Sequence, residues 1–478
     1  MTDRRTIIWT FVITSFAAFM VSLDNLIVTM ALPAIRLDLG ASIEDLEWTV
    51  NAYTLTFGVF LLTGATLGER FGRRKMLAIG LTVFTLASAA AAISTTTDQL
   101  VAARAVQGLG GALILPLTLT ILSAAVPAER RGAALGVWGA VTGLAVAAGP
   151  LVGGAIVEGG TWQWIFWINV PIGVVLVPLA LFRLHQGRGH STRLDLIGLA
   201  LVSAGLLGVV LGLVRGNAEG WTSPTIVTSF VVGGALLVAF VLWELRTPQP
   251  MLPMRLFRLR TFAVSNSISL LFSFGMFGSI FLLSQYLQIV GGYSPLEAGV
   301  RTLPWTAMPL LVAPIAGPLS DKIGGRPFLI AGLFMQALGL FYIGITMSTS
   351  QSYASLVPAF IVSGVGMAFF FIPVANVVLG SVRPQEEGVA SGTNNAIREI
   401  GGVFGVAVLA SVFSAQGGYA SPQTFVDGAA PAVIVGAGVV LIGAFGAILI
   451  PSRRATRRAA AERELLDLTT DTEPALSA

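Results

Sequence analysis

GATLGERFGRR at residues 64–74 and AGPLSDKIGGR at residues 316–326 are one phrase written twice, with Leu67 over Leu319, Glu69 over Asp321 and Gly72 over Gly324. The offset is 252 residues, and near 256 the pattern continues: LVAARAVQGLG (100–110) aligns with LVPAFIVSGVG (356–366), and RRGAALG (130–136) with EEGVASG (386–392). A chain that repeats itself at this distance is built of two similar halves. Apolar runs of roughly 20 residues, each long enough to cross a bilayer core as a helix, surround these phrases. They fall at 8–33, 47–67, 75–94, 98–122, 133–157, 164–183, 195–214, 225–245, 262–289, 299–319, 327–347, 354–379, 389–413 and 431–450. Two six-span halves account for all but 195–214 and 225–245, which are inserted between them.

With 55% hydrophobic and 11% charged residues, the chain's solvent is lipid. Backbone groups in lipid must bond internally, and the alternation of a membrane barrel is absent, so the fold class is all-α integral membrane. The first run, from Ile7, lacks a small-residue cleavage site and is expected to stay. Basic residues cluster in alternate loops: Arg70, Arg73, Arg74 and Lys75; Arg130 and Arg131; Arg183, Arg188 and Arg193; Arg255, Arg258 and Arg260; Lys322 and Arg326. The positive-inside rule then predicts fourteen spans with both termini cytoplasmic. The expected organisation is a six-helix bundle at 1–190, two extra spans and a cytoplasmic linker at 191–260, a second bundle at 261–450, and a disordered cytoplasmic tail at 451–478.

Several classes of function are excluded by what the chain lacks. There is no cysteine, which rules out disulfides and thiolate metal sites. There is no GxxxxGK[ST], so transport would be driven by an ion gradient rather than nucleotide hydrolysis. GLGGA (108–112) lies inside a span and is packing, not a dinucleotide site. His185 and His190 share one basic loop without acids around them, so no metal site is expected. An embedded enzyme would need clustered His, Asp or Ser, and a receptor a soluble domain; neither is written here. The basic balance sits at the membrane surface and does not imply nucleic acid.

LDNLIVTMALPAI (23–35), LGERFGRRK (67–75), RAVQGLGGA (104–112), GLAVAAGPLVGG (143–154), WQWIFWINVPIG (162–173) and QIVGGYSPLEAG (288–299) together resemble signatures of a known family. They look like the fourteen-span drug:proton antiporters of the major facilitator superfamily, the EmrB/QacA type, over nearly the whole chain. The resemblance implies a major facilitator fold and a proton-coupled exporter of hydrophobic or cationic compounds in the bacterial cytoplasmic membrane. It needs no cofactor, with the proton as coupling ion. An exporter of a specific lipid, siderophore or self-made antibiotic is the alternative. A monomer is expected, working alone or delivering to a periplasmic adaptor. The sequence departs from the family pattern at Leu26, Ala65, Glu69, Gln163 and Glu399, where threonine, glycine, aspartate, arginine and glutamine are usual.

Charges inside the membrane are costly and mark pairs, relays or substrate paths. Asp24 lies roughly 13 Å of helix from Pro33, and Arg104 roughly 9 Å from Asp98, so the two can meet at similar depth. Their repeat partners are Met276 and Phe360, which confines the pair to one half. The expectation is proton coupling, with Asp24 taking up a proton when its pair with Arg104 breaks; a permanent structural ion pair is the plainer reading. In the fifth span Gly143, Gly149, Gly153 and Gly154 give a smooth helix face, and Pro150 removes a backbone donor. Glu69, Arg70, Gly72, Arg73 and Arg74, mirrored by Asp321 and Arg326, read as a cytoplasmic gate. Phe277, Phe281, Gln288, Phe370, Asn376 and Glu399 are candidate substrate contacts, aromatic faces suiting flat cations and Glu399 a positive charge. Glu244 is expected to reach the interface, and Trp162, Trp164 and Trp167 to form an interfacial belt.

Overall fold

The computed structural model describes residues 4–185, 194–383 and 386–452, and every regular element among them is helical. His190, Arg188, Arg193 and the tail beyond Ser452 lie outside the described residues. The first half contains α1 (Arg4–Leu39), α2 (Ile43–Phe71), α3 (Arg73–Ala92), α4 (Thr97–Ala125), α5 (Ala128–Gly159), the short α6 (Trp164–Trp167) and α7 (Asn169–Arg183). The insert is α8 (Leu196–Glu219) and α9 (Pro224–Glu244), followed by a linker with a 3₁₀ turn at Met254–Arg258. The second half contains α10 (Arg260–Ile289), α11 (Pro295–Thr306), α12 (Met308–Ile323), α13 (Gly325–Thr346), α14 (Tyr353–Leu379), α15 (Glu387–Gln416) and α16 (Pro422–Ala447).

Thirteen spans among the described residues are long and apolar enough to cross a membrane. A fourteenth follows if Pro295–Val312 and Pro314–Ser320, bent by 48° from one another within the α11–α12 stretch, are one crossing. The sequence reads 299–319 as a single run; the break has its cause in Pro304, Pro309, Pro314 and Pro318, which remove backbone donors along it.

The repeated phrase becomes a repeated bend. Gly72 and Gly324 hold φ of +99° and +104°, a region that side chains with a Cβ rarely enter, and each ends one helix and starts the next. We call the end of the bundle bearing these two residues the Gly72 face, and the opposite end the Gly40 face. Side-chain caps start several helices: Ser42 and Ser294 form reciprocal boxes with Asp45 and Glu297. Thr96, Asp195, Ser223 and Ser421 accept from backbone N–H groups in the first turns of α4, α8, α9 and α16.

The first half has its own core on Val21, Phe57, Leu77, Phe84 and Leu117. A larger core joins α1 to the second half through Leu26, Ile27, Phe272, Phe281 and Leu409. α8 and α9 pack on each other, and Val210 and Val214 of α8 join Leu55 and Val59 of α2 and Val403 and Ala407 of α15. The insert therefore lies along the seam between the halves. Trp164 is exposed as a belt residue would be, but Trp162 is buried and donates from Nε1 to Asp38 Oδ2 at 2.7 Å, clasping the Gly40 face instead.

Candidate functional site

Asp24 and Arg104, 80 positions apart in sequence, meet in the middle of the first half with Arg104 Nη1 2.5 Å from Asp24 Oδ2, each 1% exposed. The other Asp24 oxygen accepts from Gln107 Nε2 at 2.8 Å and from Asn169 Nδ2 at 2.9 Å. Arg104 also donates to Gln107 Oε1 at 2.7 Å and, from Nε, to the Thr49 carbonyl at 3.2 Å. Its guanidinium lies 4.2 Å from the ring centre of Tyr53. Ser88 Oγ accepts from both amides and donates to the Phe166 carbonyl at 2.9 Å. Helices α1, α2, α3, α4 and α7 thus each contribute a polar group to one dry cluster.

A buried ion pair is tolerated only where hydrogen bonds replace the lost water, and truncating one partner of such a pair costs about 3–5 kcal/mol. Here three N–H donors converge on Asp24, two on Oδ1 and one on Oδ2. Gln107, Asn169, Ser88 and Thr49 were not singled out by the sequence reading. Gln107, one turn from Arg104 on the same face, and Asn169, an amide at the start of an apolar span, were the signals available.

Arg398 and Glu399 turn different ways, as adjacent helix residues should. Arg398 donates to Asn395 Oδ1 at 3.2 Å and stacks 4.4 Å from the centre of Phe371. Glu399 packs against α2, where a Cβ at Gly58 would lie 3.0 Å from its own Cβ. Its Oε2 has no partner. Beside it a narrow cavity between the halves is lined by Asn25, Thr29, Thr54, Phe277, Phe281 and Gly402. Of the other candidate contacts, Gln288 donates to the Met30 carbonyl at 3.1 Å and ties α10 to α1. Phe370 is buried and stacked on Phe272 with ring centres 4.0 Å apart, and Asn376 sits exposed at the end of α14. Neither lines that cavity.

The glycines of the fifth span are used unequally. A Cβ at Gly149 would lie 2.9 Å from Leu26 Cβ, and one at Gly153 2.7 Å from the Ile27 carbonyl oxygen. A Cβ at Gly154 would overlap the Pro295 carbonyl, and one at Gly299 the Pro150 carbonyl. Glycine is required there because α5 meets α1 and α11 backbone to backbone. Toward the Gly72 face the contact fades: a Cβ at Gly143 would find only Leu310, at 3.8 Å, and one at Gly139 nothing within 4 Å. On the Gly40 face the halves are further joined by Ser294 Oγ and the Leu296 N–H donating to Glu158, and by Arg36 stacked 4.1 Å from the centre of Tyr419. The two halves are sealed at this face.

At the Gly72 face the expected gate residues bond inside their own half. Arg73 Nε pairs with Glu69 at 2.6 Å, Arg74 donates to the Leu184 carbonyl at 3.3 Å, and exposed Arg70 lies 5.3 Å from the centre of the Phe71 ring. Arg326 follows the Gly324 bend, whereas the Asp321 side chain lies outside the described residues.

The chain matches the family model described as Major Facilitator Superfamily over residues 14–406 and 266–476. It is 34% identical over 414 residues to the multidrug resistance protein Stp of Mycobacterium tuberculosis, covering 86% of this chain and 77% of that protein. It is 32% identical over 416 residues to the tetracenomycin C resistance and export protein of Streptomyces glaucescens, covering 87% of this chain and 77% of that one. Among solved structures, a POT family transporter in complex with 5-aminolevulinic acid superposes with a TM-score of 0.69 at 14% identity, over 95% of this chain and 97% of that chain. That likeness concerns the fold.

Proposed function

Because this chain belongs to the major facilitator superfamily, a family of multi-pass cytoplasmic-membrane transporters rather than enzymes, we propose that it exports small hydrophobic or cationic molecules in exchange for protons. The observation that carries the coupling is the buried Asp24–Arg104 pair, an intramembrane acid and base whose hydrogen bonds tie five helices of the first half together. In this reading the chain is of the fourteen-span EmrB/QacA type, with α11 and α12 forming one broken span and both termini cytoplasmic. Residues 1–190 and 261–450 are its two bundles, joined by the 191–260 insert.

The Gly40 face is then the outer one, and the structure corresponds to a state closed outward. Substrate enters from the cytoplasm toward Phe277, Phe281 and Glu399. When the halves rock, the Gly149–Gly154 seal parts, and Asp24 takes a proton as it leaves Arg104. Asn25, adjacent to Asp24 in sequence and on the cavity wall, brings the substrate path next to the coupling site. The Glu69 to Arg74 segment, with Asp321 and Arg326, closes the inner face in the opposite state.

The test is ethidium efflux from proteoliposomes with and without an imposed pH gradient, comparing wild type, Asp24→Asn and Arg104→Ala. Gradient-driven efflux lost in Asp24→Asn supports the proposal; efflux that keeps its rate and its proton stoichiometry in that variant refutes the proton role. The relative named for tetracenomycin C resistance and export favours a second reading, in which a self-made antibiotic is the physiological cargo. Competition of tetracenomycin C against ethidium would distinguish the two.

A further inference from the structure

The base of the inserted helix pair holds two acids that the transport path does not use. Glu244, the last residue of α9, is 3% exposed rather than reaching the interface. Its carboxyl borders the space above Gly198 together with that of Asp195, the residue that caps α8. Of the four carboxyl oxygens, two have donors and two have none. Asp195 Oδ1 accepts from the Gly198 N–H and from Trp243 Nε1, both at 2.8 Å. Glu244 Oε2 accepts the Leu252 N–H at 3.0 Å. Asp195 Oδ2 and Glu244 Oε1 are buried with no donor. They converge on one spot: a Cβ added at Gly198 would lie 2.6 Å from the first and 2.7 Å from the second. Two facing acceptors with nothing between them repel, unless a positive charge or a donor occupies the gap that Gly198 leaves open.

We propose that Asp195 and Glu244 form a proton-binding site separate from Asp24, one proton being shared between Asp195 Oδ2 and Glu244 Oε1 above Gly198. Two carboxyls at this distance cannot both ionise without strain, so one retained proton gives the pair a donor and a single net negative charge. The site borders a cavity and the linker between α9 and α10. Asp195 also lines a cavity of about 180 Å³ with Thr63 and Thr66 of α2, Gln249 and Met251 of the linker, and Val389 of α15. None of these other wall residues is ionisable, so Asp195 is the charged group that faces Glu244. Through the Leu252 N–H the pair pins the linker that runs from α9 to α10. That linker touches the first half where Thr63 donates to Met251 Sδ at 3.5 Å, and the second where Arg255 pairs with Glu386 at 2.7 Å. Loss of the shared proton would set the two carboxylates against each other and lift the linker from α2.

The chain has no cysteine, so a single introduced thiol reports on one place. In full-length protein in nanodiscs, Met251→Cys is labelled with a neutral maleimide across pH at fixed sodium and potassium. Rates are taken relative to Gly159→Cys, an open position, which removes the titration of the thiol itself. The expected result is a one-proton step to labelling about tenfold faster at high pH, the equilibrium shift worth one pH unit. Glu244→Gln should stay slow throughout, because its amide N–H supplies the donor permanently. Asp195→Asn, whose amide can donate to Glu244, should behave alike and serves if the first variant does not fold. A rate flat with pH, a step surviving in both amide variants, or labelling that follows sodium at constant pH overturns the proposal, the last by making the occupant a metal ion.

Discussion

Replacing Gly154 with alanine places one methyl where α5 meets the backbone of α11. The new Cβ would overlap the Pro295 carbonyl oxygen and lie 2.7 Å from its carbon and 2.8 Å from Leu296 Cα. Carbon atoms pack at roughly 3.5–4.0 Å, so the two helices must part by about 1 Å. Backbone on both sides cannot step aside as a flexible side chain would, and overpacking of this kind costs about 1–3 kcal/mol. If the strain falls on the sealed state alone, the balance between sealed and open moves roughly 5- to 150-fold toward opening at the Gly40 face. Thr29, on the wall of the cavity behind the seal, offers the readout: Thr29→Cys is the sole thiol, labelled by a membrane-impermeant maleimide applied from the Gly40 side. Gly154→Ala should accelerate that labelling, and Gly299→Ala, which meets the Pro150 carbonyl from the opposite helix, should do the same. Gly159→Ala, with nothing within 4 Å, should not. Unchanged labelling in the first two, or an equal rise in the third, would show that the glycine contacts do not hold the halves closed.

Arg104→Lys keeps the charge beside Asp24 but cannot reproduce the fork that reaches Asp24, Gln107 and Thr49 together. A loss of about 1–3 kcal/mol is expected, seen as a lowered midpoint in thermal unfolding, because buried acceptors are left without donors. An unshifted midpoint would mean that the pair's charge alone holds the cluster. Burial pushes the Tyr419 phenol above its ordinary value, more than nearby Arg36 lowers it. The fold therefore favours the neutral phenol, and this contribution is complete below the unfolded value of about 10 and lost as pH rises through the higher folded one. The ultraviolet difference between wild type and Tyr419→Phe should show no phenolate step near that unfolded value; a step there would mean the ring is freely hydrated.

The parts legible in the sequence were those with a large energetic cost or a steric requirement. Asp24 and Arg104 announce each other because neither can stand alone in lipid, and Gly72 and Gly324 announce the two-fold repeat because they recur in the same phrase with the same neighbours; that each is a bend needed the backbone to show. Gln107, Asn169 and Ser88 were not legible because neutral amides and hydroxyls satisfy themselves cheaply in many helices, and only three dimensions show them aimed at one carboxylate. Glu244 misled for a related reason: a terminal glutamate can snorkel to water, and only the fold reveals that the linker covers it. The broken span was legible in principle, since four prolines within 304–318 are more than one straight helix accommodates.

The position of α8 makes the two flanks of the transporter unequal. On one flank its valines fill the groove between α2 and α15, so the bilayer meets a third helix there rather than a joint. On the other, where α5 nears α12 at the loosely packed end of the glycine face, Val137, Leu144, Leu311 and Ile315 are exposed. The insert therefore makes the two seams unequal: one is a three-helix joint filled by valines, the other a joint of two helices alone.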